Sequence, residues 1–313
     1  MSAFRLPRFA ASLLLGLFVS VPVAQADGQA LTTHHVAGPV YAIQGPFGNR
    51  TPENLGNNAT FGFVVTDAGV VLIDSGGTHK GAAAIQAQIQ TITDKPVRWV
   101  INTGGQDHRW LGNGYFKTRG ASIIANAKAV ADQKARTQDQ FFRLGVLAGS
   151  PALEGTEPVY AETTFDTGYT LDAGGVRLEL HHAGQAHTPG DSFVWIPEHK
   201  VMFSGDIVYV GRMLGVMDHS NARSWMQTFE AMAAFEPEFL VPGHGPVTDI
   251  ETATADSYNY LAFLRESVEA FMEGGGSIDA VGSIDQSAFS YLNAYDNLKG
   301  RNIQQVFQEM EWE

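Results

Sequence analysis

From residue 36 to 75, short apolar runs alternate with Gly, Pro and Asn turns. Residues 39–44, 61–66 and 70–73 read as strands, with Asp67-Ala68-Gly69 as a hairpin turn between the last two. The period then changes. Residues 78–93 are rich in Ala and Gln, with Ile85 and Ile89 four apart, which predicts an amphipathic helix. Residues 97–101 form the next buried strand, 115–118 and 122–125 repeat the helix-then-strand rhythm, and 127–144 predicts a helix with Arg136 and Arg143 on its solvated face. The second half follows the same logic, with strands at 163–165, 176–181, 192–196, 200–203 and 239–241 and a helix over 224–235. Beyond about Thr252 the pattern is helical, with helices at 256–271 and 301–311 around Gly274-Gly275-Gly276-Ser277. Two halves, each of strands followed by helices, suit an α+β four-layer αββα sandwich with its site at the strand ends along one edge. Residues 27–252 make up that domain, and 253–313 read as a C-terminal helical extension packed on it.

The first 26 residues read as a cleaved export signal: Arg5 and Arg8 supply the positive start, 10–21 a short apolar stretch, and Ala24-Gln25-Ala26 a small-residue cleavage site. That stretch is too short to span a bilayer, so no membrane anchor is expected, and a bacterial periplasm is the expected location. The absence of cysteine excludes disulfides and a lipid-modified cysteine. Losing Arg5 and Arg8 with the leader takes the net charge from −13 to −15. This acidity argues against nucleic acid or anionic lipid as partners and suits a small-molecule substrate.

The candidate chemistry sits at five stations, each closing an apolar run: Val70-Val71-Leu72-Ile73-Asp74-Ser75-Gly76; the loop Asn102-Thr103-Gly104-Gly105-Gln106-Asp107-His108-Arg109-Trp110-Leu111-Gly112-Asn113; Ala186-His187-Thr188-Pro189-Gly190-Asp191; Phe203-Ser204-Gly205-Asp206; and Val241-Pro242-Gly243-His244-Gly245. In type and order they resemble the metallo-β-lactamase superfamily over roughly residues 36–250. That resemblance implies the αββα fold and a metal-dependent hydrolase. The family's loop reads His-x-His-x-Asp-His, and here its frame is kept while its ligand positions are largely rewritten.

A gap-free alignment puts the two first-metal histidines on Gly104 and Gln106, the second-metal Asp on His108 and the last His on Arg109. His187, Asp206 and His244 match their positions. The resemblance therefore implies a depleted first site and a second site built from His108, Asp206 and His244, holding one zinc, with iron as second choice. Three protein ligands and one open place suit a catalytic zinc. An alternative alignment with a one-residue insertion makes Asp107 a ligand beside His108; otherwise Asp107 orients a histidine or caps the following helix. His187 would position or deprotonate the water, and Arg109 or Gln106 would steady an anionic group. Asp74 reads as a tie beneath the metal. His34-His35 fall in a mobile N-terminal stretch, His182 at a strand end that could line the cleft, and Trp110, Met213, Met217 and Trp225 in the core or cleft wall. Residues 49–58 sit where the family carries a mobile loop over the substrate.

Three functions follow from these residues. The first is a periplasmic hydrolase of a small-molecule ester, lactone, thioester or lactam. The second is a catalytically inactive binding protein that keeps the fold and loses the metal. The third is a mono-iron oxidoreductase resembling the sulfur dioxygenases of this superfamily, which ranks last because the loop histidine it needs falls on Gly104.

Overall fold

The computed structural model describes Met1 and residues 30–313; the expected export signal lies outside the described residues. Two sheets stack face to face. The first has seven strands in sequential order: β1 (Thr32–Ala37), β2 (Val40–Gln44), β3 (Thr60–Thr66), β4 (Gly69–Ile73), β5 (Val97–Asn102), β6 (Ser122–Asn126) and β7 (Thr163–Phe165). Its first four strands are antiparallel and its last four run parallel. The second sheet has five, in the order β12 (Phe239–Val241), β11 (Val201–Phe203), β10 (Phe193–Ile196), β9 (Val176–His181) and β8 (Gly168–Ala173), with only β11 and β12 parallel. The strand β8 was not expected; its exposed and half-buried residues carry little apolar signal, and it pairs as a hairpin with β9.

Strand periodicity sorts the side chains into layers. In β4, Val71 and Ile73 enter the core between the sheets, while Val70 and Leu72 face the outer helices. Val100 and Ile101 divide the same way in β5, as do Ile123 and Ile124 in β6. Across the gap, Val194, Ile196, Val201, Phe203 and Val241 face inward, and Phe193, Trp195, Met202 and Leu240 face outward. Both faces are buried, so these strands read as unbroken apolar runs instead of alternating ones.

Helices α1 (His79–Gln90), α2 (Asp107–Trp110), α3 (Asn113–Lys117), α4 (Ala127–Ala148) and α5 (Ser150–Leu153) belong to the first half. Thr78 caps α1 through its side chain, which accepts from Gly81 N, and Asn126 caps α4 by accepting from Lys128 N. Ile85 and Ile89 of α1 are buried against the outer face of the first sheet. In the second half, α6 (Ala222–Ala233) covers the five-stranded sheet together with α7 (Ile250–Ala253), α8 (Asn259–Glu273) and α9 (Tyr295–Met310). Trp225, Phe229, Leu261, Leu264, Ile303 and Val306 share one core with Phe193, Met202 and Leu240. The C-terminal helices therefore belong to the outer layer itself.

Two expectations are corrected. His34 and His35 lie in β1, paired with β2, and His35 Nε2 donates to the Gly38 carbonyl at 2.8 Å. Arg136 is not solvated: it grips the carboxylate of Asp132 one turn earlier, with its Nε 2.7 Å from Oδ1. Arg143 is exposed, as expected, and lines the main cleft. The Phe203 ring of β11 packs directly on Gly62 of β3, where a Cβ would lie 2.0 Å from it. Gly62→Ala should therefore destabilise the fold by about 1–3 kcal/mol through overpacking. Thermal unfolding would read this, and an unchanged Tm would show that the Phe203 ring can yield.

Candidate metal centre

All five stations lie in the loops that follow β4, β5, β9, β11 and β12. Asp74 follows β4 with a φ of 65°, in the left-handed region. Its carboxylate accepts from Thr103 N at 2.8 Å, from Thr103 Oγ1, and from Arg109 Nη1 at 2.9 Å. Asp206 follows β11, in the short 3-10 turn Gly205–Ile207. Arg109 grips both its oxygens, with Nη2 2.7 Å from Oδ1 and Nε 3.1 Å from Oδ2. Arg109 also donates to the carbonyls of Thr60 and Gly243. It is fully buried and makes no contact with the cleft, so the expectation that it steadies a bound anion is corrected. One guanidinium cannot hold two buried carboxylates equally. Arg109 and the neighbouring histidine hold Asp206 well below the usual carboxylate range against burial, whereas burial pushes Asp74 up.

His108, Asp206 and His244 converge, with ligand atoms within 4.8 Å of one another and all three residues buried. His244 Nδ1 lies 2.9 Å from the Asn58 carbonyl, which can only accept, so Nδ1 carries the proton. Burial and the nearby Arg212 keep this ring well below the usual imidazole pKa, hence neutral. Its Nε2 lone pair therefore faces Asp206 Oδ1 at 3.3 Å. Two acceptors turned toward each other in a buried site fit a shared cation. Tyr209 stacks on His244 with centroids 4.5 Å apart and holds the ring in place.

His108 is held differently. Arg50, from the loop between β2 and β3, reaches Asp107 Oδ1 and lies 2.7 Å from His108 Nδ1. A guanidinium nitrogen only donates, so Nδ1 accepts and the neutral ring carries its proton on Nε2. That Nε2 is 3.3 Å from Asp206 Oδ2, yet it is buried without a hydrogen-bond partner. Ligation through Nε2 requires the proton on Nδ1, and Arg50 must then leave. The donor set fits one cation, and Arg50 competes with it.

The other expected residues stand outside this trio. Asp107 is tied to Arg50 and accepts from His108 N, so it orients the loop histidine. The Arg50 guanidinium and the hydrogen bonds from His108 and Arg50 hold its carboxyl far below the usual range despite burial. His187 lies outside the trio; its Nδ1 donates to the Gly215 carbonyl at 2.9 Å, and burial pushes its pKa down to about 3, which leaves Nε2 a free acceptor on the cleft wall. Gln106 lines the same cleft. Gly104 is closed to a side chain, because a Cβ there would lie 2.3 Å from Asp191 Oδ1. The family's first histidine therefore has no room in this chain. His182 Nδ1 donates to the Asp191 carbonyl at 2.7 Å, and His182 takes no part in the cleft wall.

Two residues were missed by the sequence reading. Arg50 is the only basic residue between 45 and 58, and Arg212 the only one between Asp206 and Asp218. A lone cation in each loop flanking a ligand was the available signal.

A buried imidazole–carboxylate trio at the edge of an αββα sandwich defines a metal-binding protein of hydrolase type. The chain belongs to the metallo-beta-lactamase superfamily, whose family model matches residues 56–244. It is 24% identical to a metallo-beta-lactamase type 2 of Elizabethkingia meningoseptica over 216 residues, 66% of this chain and 77% of that one. It is also 24% identical to metallo-beta-lactamase IND-1 of Chryseobacterium indologenes, over 75% of this chain and 89% of the relative. The fold is shared with a metallo-beta-lactamase from Pontibacter korlensis, at a TM-score of 0.57 and 20% identity, covering 72% of this chain and 95% of that structure.

Two outcomes follow. Arg50→Ala should bind zinc about 10- to 100-fold more tightly than the parent, the range of a charged hydrogen bond, in competition with a chromophoric chelator; equal affinity would show that the Arg50 contact is no barrier. The depressed His187 pKa means that the unfolded chain takes up its proton first. Metal-free protein should therefore lose stability as pH falls from about 6.5 toward about 3. His187→Gln should flatten that slope in pH-dependent urea unfolding, and an unaltered slope would assign the acid sensitivity to other groups.

Proposed function

We propose that this chain is a periplasmic metal-dependent hydrolase of a small-molecule ester, lactone, thioester or lactam, working with a single cation held by His108, Asp206 and His244. Zinc is the first choice and iron the second. One observation carries the reading: the neutral His244 presents its Nε2 lone pair to the Asp206 carboxylate at 3.3 Å in a buried site. Such a cation supplies Lewis-acid chemistry to a water molecule or a carbonyl oxygen.

The chain's own groups supply the rest. Asp107 and Asn58 orient the two ligand rings, and Arg109 fixes the Asp206 carboxylate from beneath. His187, kept neutral by burial, offers its Nε2 lone pair on the cleft wall to hydrogen-bond and position a water molecule. Gln106, lining the same cleft, can hydrogen-bond a polar substrate group.

The second reading, an inactive binding protein, is favoured by the closed position at Gly104 and by Arg50 on His108. Metal content separates the two. Protein purified from the periplasm should carry about one zinc per chain and have its amino terminus at Asp27. His108→Ala and His244→Ala should lose the metal and reduce turnover on an ester, lactone, thioester and lactam panel by about a thousandfold or more, with circular dichroism unchanged. No metal after dialysis against zinc would sink the hydrolase and leave the binding protein. About one iron would turn attention to an oxidoreductase.

A further inference from the structure

Helix α4 is apolar on more than the face it buries. Its inner face packs through Leu144 and Ala148 against Trp110 and Leu111. Phe142 and Val146, one turn apart and turned away from Leu144, are 73% and 70% exposed, and Leu147 beside them is 42% exposed. The other exposed large apolar residues, such as Ile92, Tyr291 and Trp312, come from separate segments of the chain. Single exposed apolar side chains are ordinary, whereas a cluster of them on a cleft marks a binding surface. All three α4 residues line the cleft that His108 and His244 also line. Its volume of about 760 Å³ is in the range of sites for small molecules.

The second half of the sandwich adds apolar surface to the same cleft. Met217 and Leu298, the latter on α9, both line it. They converge over Gly215, where a Cβ would lie 3.9 Å from Met217 Sδ and 4.0 Å from Leu298 Cδ2. The Gly215 carbonyl accepts from His187, so this pair begins beside the His187 wall. It is also held in place. Asn302 of α9 bonds to Val216 N and the Leu214 carbonyl, and Arg301 Nη1 donates to Met217 Sδ at 3.4 Å.

Apolar lining and candidate metal ligands therefore share one cleft, and that continuity identifies the occupant. It is the apolar part of the molecule whose reacting group lies at the trio. From Phe142 to Leu147 the α4 strip follows about 7.5 Å of helix axis. An exposed strip of this length suits a flexible chain laid along it, since it does not enclose a ring.

We infer that the outer part of the cleft is a subsite for an unbranched acyl chain, held by Phe142, Val146 and Leu147 from one half and Met217 and Leu298 from the other. This rests on the hydrolase reading for the reacting group and names its substrates as medium-chain acyl esters and thioesters. The chain subsite itself needs no metal, so it is tested on chelator-treated mature protein. N-phenyl-1-naphthylamine, a neutral fluorophore, would be bound first and then displaced by alkan-1-ols from butanol to nonanol. Uncharged alcohols present the chain without engaging the arginines of the cleft.

Affinity should rise about two- to fourfold per methylene, and octan-1-ol should bind more tightly than 2-cyclohexylethanol, which has as many carbons. The double variant Phe142→Ser, Val146→Ser alters exposed residues and should lower octan-1-ol affinity about tenfold. Leu298→Ser should lower it about threefold. Ile92→Ser, which removes an exposed apolar side chain outside the cleft, should leave it unaltered. A flat chain-length series, equal binding of the cyclic alcohol, or unaltered affinity in the double variant would each overturn the proposal. On zinc-loaded protein, kcat/KM for p-nitrophenyl octanoate should exceed that for the acetate by about 50-fold or more. Chain-length-dependent binding by protein that takes up no zinc would support the subsite while refuting the hydrolase. Cleavage of acetate and octanoate at equal kcat/KM, with a flat alcohol series, would do the reverse.

Discussion

The Arg109 guanidinium is the contact on which the rest of the site depends. It joins the first residue of β3, the end of β4, the turn after β11 and the loop after β12, through Thr60, Asp74, Asp206 and Gly243. These belong to both sheets, so one buried side chain locks the two halves of the sandwich at the edge where the site lies. Removing one partner of such a buried network leaves an uncompensated charge, at a cost of about 3–5 kcal/mol. The geometry of Asp206 is set by this clamp before any ligand arrives, and both ligand histidines are arranged around Asp206.

Electrostatics around the site follow from how the buried cations are matched with anions. Arg109 is matched by two carboxylates and Arg50 by one, whereas Arg212 has none. The two unsatisfied features, the lone pair of His244 toward Asp206 and the unpaired Arg212, lie on the same wall. One calls for a cation and the other for an anion.

The C-terminal helices take part in this arrangement. Ser257 exchanges hydrogen bonds with the backbone of Tyr209, and Asp256 accepts from Gly211 N. Asn302 on α9 holds Val216 N and the Leu214 carbonyl, flanking Gly215, whose carbonyl takes the His187 proton. The segment from Tyr209 to Val216, which forms one wall of the cleft, is thus suspended from residues beyond 250. The π-helical stretch Thr254–Tyr258 marks where the chain departs from regular geometry to make these contacts.

The stations were legible in the sequence because each is local: an apolar strand buried on both faces, then a turn carrying one polar residue. That pattern placed the layers and most strands, and the family resemblance carried by the stations supplied the candidates His108, Asp206 and His244. Only the tertiary structure decided what the remaining polar residues do. Arg109 meets Asp206 across 97 positions, and Arg50 meets His108 across 58, so neither partner is implied by its neighbours in the chain. The sequence could place Arg109 beside the cleft but not beneath it, since burial of a guanidinium depends on which carboxylates the fold brings to it. A residue type and its spacing say what a side chain is able to do; the charges and carbonyls that the two sheets bring around it determine which of those things it does.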